Sequence, residues 1–178
     1  FVRRLPWLCV NLLTACLAGA VVGLYEPIVA KFAVLAIFLP IIAGQGGNAG
    51  MQTVTIIIRD MALGELSPGD GRKALAKELL LGLFIGFIIG MIVGAVGYLI
   101  GPIFFPKDPD IGWKLGLVAG SAMLLNLVAA AFFGVLIPFA LKFFRLDPAL
   151  ASSILITTVT DVAGFFFLLA LASWVLIG

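Results

Sequence analysis

Asp161 is the residue in this sequence whose position most needs a chemical explanation. It falls about 13 residues into the last apolar segment, so ~20 Å deep at ~1.5 Å per residue, near the centre of a bilayer. A lone carboxylate there costs at least ~2.5–3.5 kcal/mol on insertion scales. No basic residue is expected at similar depth, because Arg59, Lys142 and Arg145 all fall near segment ends. Asp161 is therefore either protonated or paired with something the chain does not encode, and a bound cation is the natural candidate. Ser153, Thr157, Thr158 and Gly164 share its face at helical spacing and offer oxygens and a close backbone approach. Each hydroxyl alone means little, since it can also bond a carbonyl one turn earlier.

A second set of polar groups runs along one face of another segment. Gln45, Asn48, Gln52, Thr55 and Arg59 fall within an arc of roughly 80° at ~100° per residue. Interhelical hydrogen bonding is the bland explanation of such a stripe. Five polar groups running from mid-segment to one end fit a hydrated pathway better. Asn11 and Asn126, single amides on other segments, read as packing contacts between helices.

The ligand types narrow the ion. The chain has no histidine and two cysteines, Cys9 and Cys16. On one helix those two would lie roughly 10 Å apart, too far for a bridge, and they read as small packing residues. Zinc and copper sites are thereby disfavoured, and any metal must be held by oxygen. Mg²⁺ takes few carboxylates and keeps several waters. Two copies of Asp161 across a twofold axis would balance one divalent charge. Calcium usually wants more direct protein oxygens and ranks second.

The elements that must position these residues follow from composition. The 178 residues are 63% hydrophobic and 11% charged. An ordinary soluble domain carries about 25% charged residues. The expected class is an all-α membrane protein surrounded by membrane lipid, which excludes a disordered chain and a disulfide scaffold. A net charge of +2 gives no reason to expect a nucleic-acid partner. A single transmembrane domain over residues 1–178 is expected, with helices at roughly 5–25, 29–60, 73–101, 113–144 and 148–177. Glu26-Pro27, the run Gly64 to Gly71, Pro102 to Asp110, and Arg145 to Pro148 separate them. The loop from Gly101 to Trp113 reads as solvated.

Charge sets the expected orientation. Arg3, Arg4, Arg59, Arg72, Lys73, Lys77, Lys142 and Arg145 fall on one side, and Lys31, Lys107 and Lys114 on the other. The positive-inside rule puts the N-terminus in the cytoplasm and the C-terminus outside. Five is an odd number and no internal repeat is evident, which favours a pathway between two chains of a homodimer. Gly82, Gly86, Gly90 and Gly94 form a small-residue stripe for close helix packing. Pro40 and the glycines from Gly44 to Gly50 are expected to loosen the second helix locally. The start at Phe1, with Arg3 and Arg4 directly behind it, is expected to continue a longer protein.

With these residues in view, the chain resembles the membrane domain of the MgtE family of magnesium channels. The resemblance is carried by Arg4-Leu5-Pro6-Trp7, by Pro40 followed by Gly46-Gly47-Asn48-Ala49-Gly50-Met51-Gln52, by Ile58-Arg59, and by Thr160-Asp161-Val162-Ala163-Gly164. It implies a homodimer of five-helix chains with a pore at the twofold axis, lined by the second and fifth helices. It implies a passive, Mg²⁺-selective channel of the plasma membrane, in which paired Asp161 carboxylates bind a largely hydrated ion. The backbone position one turn before the ion-binding Asp maps onto Thr157. The expected pore-lining set is Gly44, Gln45, Asn48, Gln52 and Thr55 on the second helix and Ser153 on the fifth. Met51, where relatives can carry an amide, is assigned no ligand role. In typical members a cytoplasmic sensor, an N domain with paired CBS domains, precedes this region, and none is expected within these 178 residues.

The main rival is a Na⁺-coupled Mg²⁺ exchanger, in which the glycine-rich stretch would be a hinge. Enzymes are disfavoured. An aspartyl intramembrane protease needs two deep carboxylates, a metalloprotease needs histidines, and Asp70-Gly71-Arg72 is not followed by the further acidic pair a headgroup transferase uses. A non-conducting scaffold would explain the glycines and leave Asp161 unexplained.

Overall fold

The computed structural model describes residues 5–66, 68–145 and 148–177. Arg3, Arg4, Ser67, Leu146 and Asp147 lie outside the described residues, as do the side chains of Pro6 and Trp7. The described residues are almost entirely helical: α1 (Leu5–Leu24), α2 (Glu26–Lys31), α3 (Leu35–Ala62), α4 (Gly71–Phe104), α5 (Ile111–Phe143) and α6 (Pro148–Ala172). A 3₁₀ turn at Pro68–Asp70 leads into α4, and α6 runs on into a π-helical turn at Ser173–Ile177.

Among the described residues, three helical segments are long and apolar enough to cross a membrane by length and composition: Gly71–Phe104, Ile111–Phe143 and Ala151–Ile177. The apolar part of α1 is shorter, Leu8–Leu24. Helix α3 has 28 residues and carries the polar stripe. At the usual helical rise its length is about 42 Å. The long apolar helices fit a membrane protein.

The helix expected at 29–60 is two helices. Pro27 sits in the first turn of α2, and α2 ends at Phe32, whose backbone (φ −124°, ψ 68°) is not helical. Phe32 is buried with Val34, Leu35 and Phe38, and its ring lies 5.5 Å from that of Phe105 in the α4–α5 connection. Burial of these apolar side chains against the connection offsets the lost helical turn.

The expected loosening at Gly44–Gly50 does not occur, and α3 is helical from Leu35 through Ala62. Pro40 stands in the second turn, where its missing N–H leaves only the Ala36 carbonyl without its ladder donor. Gly46 and Gly50 serve packing instead. A Cβ at Gly46 would collide with the Asn126 amide, and one at Gly50 would lie 2.5 Å from Ile156 Cγ1.

The central helix is α5, which packs on α3, α4 and α6. Its contact with α4 is the most extensive and is glycine against glycine. A Cβ at Gly90 would sit 2.8 Å from the Gly120 carbonyl oxygen, and one at Gly116 would sit 2.7 Å from the Gly94 carbonyl oxygen. This is the close approach the stripe predicts, extended on α4 to Gly97 and Gly101. By contrast α1 touches mainly α6 and leaves Leu8, Leu12, Leu13 and Leu17 exposed. Cys9 and Cys16 are free and exposed on it rather than packed inside this chain.

Candidate functional site

Asp161 lies on α6 and is half-buried, with no hydrogen bond or ion pair to its carboxylate among the described residues. The hydroxyls around it turn to their own backbone. Thr157 donates to the carbonyls of Ser153 (2.9 Å) and Ile154 (3.1 Å), and Thr158 to that of Ile154 (2.6 Å). Thr160, fully buried, donates to the carbonyls of Ile156 (3.0 Å) and Thr157 (3.1 Å). Their lone pairs remain available to a ligand, but none of these protons reaches Asp161. Ser153 is half-buried on the same helix.

Gly164 departs from the expectation. It is buried, and a Cβ there would lie 2.8 Å from Asn126 Nδ2 and 3.1 Å from Ile42. Its close backbone approach is to α5 and α3, which pack over it one turn beyond the half-buried Asp161.

On α3, Gly44, Gln45, Asn48, Gln52, Thr55 and Arg59 are all exposed. Gln45, Asn48 and Gln52 make no side-chain hydrogen bond among the described residues. Thr55 donates to the Met51 carbonyl at 2.7 Å. Arg59 pairs with Asp60 at 3.0 Å and is 66% exposed. A pair so open to solvent contributes little stability. The polar stripe and Asp161 flank one seam, where α3 at Gly46 and Gly47 lies against α6 at Thr157 and Thr160. A hydrophobic wall backs the seam, with Val54, Ile156 and Ile137 in one cluster.

A second carboxylate, not evident from the sequence, lies on α4. Glu78 on α4 is 8% exposed and accepts a hydrogen bond from Thr53 Oγ1 of α3 at 3.0 Å. Thr53 is packed against Gly134 of α5. The signal is present in the spacing, because Glu78 stands one turn before Gly82 on the stripe that faces α5. Its neighbours Lys73 and Lys77 give it the look of a charged helix end. Glu78→Ala is expected to leave the Thr53 hydroxyl without its acceptor and open a void, at about 2–3 kcal/mol. Glu78→Gln, which keeps an acceptor oxygen, should lose much less. Thermal melting of the two purified variants checks this, and equal melting would refute it.

Among the described residues there is no group of three or more His, Cys, Asp or Glu that could hold a metal ion. Among the described residues, α6 thus carries a half-buried carboxylate on an apolar helix, and it packs on α3, whose exposed face carries three amides. That donor set suits a hard cation that keeps much of its water, such as Mg²⁺, and is too sparse for a dehydrated one.

The sequence also matches known proteins. Residues 39–171 match the family model MgtE, described as a divalent cation transporter. The chain is 30% identical over 172 residues to the magnesium transporter MgtE of Thermus thermophilus, covering 97% of this chain. It is 27% identical over 175 residues to that of Bacillus subtilis and 30% over 171 residues to that of Enterococcus faecalis, each covering 96% of this chain. It spans 36% of the length of each of these relatives. The matched residues take in both the polar stripe of α3 and Asp161, and the chain belongs to the MgtE family of divalent cation transporters.

Proposed function

We propose that this domain conducts Mg²⁺ passively across the plasma membrane as a homodimer, with a hydrated ion held between two Asp161 carboxylates. The observation that carries the reading is the Asp161 carboxylate, unpartnered among the described residues, on an apolar helix that packs on α3, whose exposed face carries amides. One carboxylate leaves a divalent ion half-neutralised, and a twofold axis supplies the second. The same axis would cover the polar face of α3, which lipid cannot solvate. In this reading α1, α3, α4, α5 and α6 span the membrane, with the N-terminus cytoplasmic and the C-terminus outside. Gly44, Gln45, Asn48, Gln52 and Thr55 line the pathway with Ser153, and their oxygens and amides hydrogen-bond the ion's water. The Thr157 carbonyl, one turn before Asp161, lies within the same shell of oxygens. A cytoplasmic sensor elsewhere in the full-length protein would regulate this pore.

The names of the relatives support magnesium as the cargo. A Na⁺-coupled exchanger is the second reading, and it would need α3, continuous across Gly44–Gly50 here, to bend at its glycines. The test is Mg²⁺ entry into proteoliposomes holding an internal indicator, with and without an opposing Na⁺ gradient. Fast entry regardless of sodium is expected. Entry only with the gradient would replace the channel by a coupled exchanger.

A further inference from the structure

Asn126 stands at the point where the three helices that build the site meet, and it is fully buried. Its Nδ2 donates to the Ile42 carbonyl of α3 at 2.8 Å. The same amide fills the space over two glycines, Gly46 of α3 and Gly164 of α6, and no side chain larger than hydrogen fits at either. Its Oδ1 is buried and has no hydrogen-bond partner among the described residues. The Ile42 carbonyl already receives the Gly46 N–H in the helical ladder, so the helix does not need this bond. A leucine of similar shape would remove the orphaned acceptor and leave no other group unsatisfied, so stability alone does not account for an amide here.

What the amide does is fix position. It holds α3 at one height and one rotation relative to α5, and through Gly164 it sets how closely α6 approaches. Asn48 and Asp161 ride on those two helices, two residues from Gly46 and three from Gly164. We propose that Asn126 is a positioning residue that sets the spacing between the Asn48 amide and the Asp161 carboxylate, and thereby discriminates hydrated Mg²⁺ from larger divalent cations such as Ca²⁺. The inference rests on the channel reading above. Mg²⁺ holds its oxygens in a rigid octahedron at ~2.0–2.1 Å, whereas Ca²⁺ accepts six to eight at ~2.3–2.6 Å in flexible geometry. A fixed gap favours the first, and a gap that varies admits the second.

The test is Asn126→Leu in the full-length protein in proteoliposomes, with Mg²⁺ and Ca²⁺ entry measured separately. The expected result is a Mg²⁺-to-Ca²⁺ flux ratio lowered about tenfold at an unchanged melting temperature. A merely structural role would lower melting and both fluxes together and leave the ratio alone. In parallel, spin labels at Ile56→Cys on α3 and Leu155→Cys on α6, with Cys9 and Cys16 replaced by alanine, report the helix spacing. Both label sites are exposed. Asn126→Leu should broaden that distance distribution. An unchanged ratio overturns the proposal whatever the distance does. An unchanged distance with a changed ratio overturns the spacing mechanism. If the wild type itself carries no Mg²⁺, it is the channel reading that falls, and the label distance still decides whether Asn126 sets the gap.

Discussion

Asp161→Asn is expected to abolish most Mg²⁺ entry into proteoliposomes while the protein still folds and dimerises. The substitution keeps the volume and one acceptor oxygen and removes one charge per chain. Losing a charge-assisted contact to the water shell of the ion costs about 1.5–3 kcal/mol, which is roughly 10- to 150-fold in ion affinity. A dimer loses both carboxylates at once, so the effect on flux should be at least that large. Stability should move the other way, because an uncompensated carboxylate at membrane depth is itself unfavourable. Mg²⁺ added to the wild type should raise its melting temperature through binding, and that rise should vanish in Asp161→Asn. Asp161→Glu, which keeps the charge on a longer arm, should retain part of the binding. A variant Asp161→Asn that conducts like the wild type would remove Asp161 from the pathway.

Gly116→Val is expected to be the most damaging substitution outside the pathway. The Gly116 Cα faces the Gly94 carbonyl, and even a methyl group there would lie 2.7 Å from that oxygen. The obstacle is backbone on a facing helix, with no flexible side-chain end to give way. The helices must separate along the most extensive contact in the molecule, at about 1–3 kcal/mol or more. At ~2–4 °C per kcal/mol, melting should fall by roughly 2–12 °C. Gly23→Val on α1, where nothing lies within 4 Å of the added Cβ, is the matched control and should change little. Equal melting of the two variants would mean that α4 and α5 do not approach as described.

These expectations differ in how far the sequence carried them. The apolar runs near 5–25, 73–101, 113–144 and 148–177 match α1, α4, α5 and α6 to within a few residues. Lipid-length hydrophobic segments and Pro/Gly-rich breaks are local properties, which is why they could be read. The polar face of α3 was equally legible, since ~100° per residue alone decides which side chains share a side. All five of its residues are exposed. The sequence misleads where two physical tendencies compete. Proline and glycine weaken an isolated helix. Yet Gly46 and Gly50 are what let α3 press against Asn126 and Ile156, and the packing keeps the helix whole. Near Phe32 the reverse happened, and an apolar run that reads as continuous is broken so that Phe32 can meet Phe105.

By itself, then, the sequence determined four of the long helices, the polar face of α3 and the place of Asp161 along its apolar segment. Composition and periodicity act within one segment, and those features need nothing more. Only the tertiary structure decided what each face meets. It turned Gly164 inward toward Asn126, buried Glu78 against Thr53, and set the amide of Asn126 between α3 and α6. Those partners are 25 residues apart for Thr53 and Glu78 and 84 for Ile42 and Asn126. Helical periodicity says which residues share a face, but the residue that will lie across from them is chosen only when the helices pack.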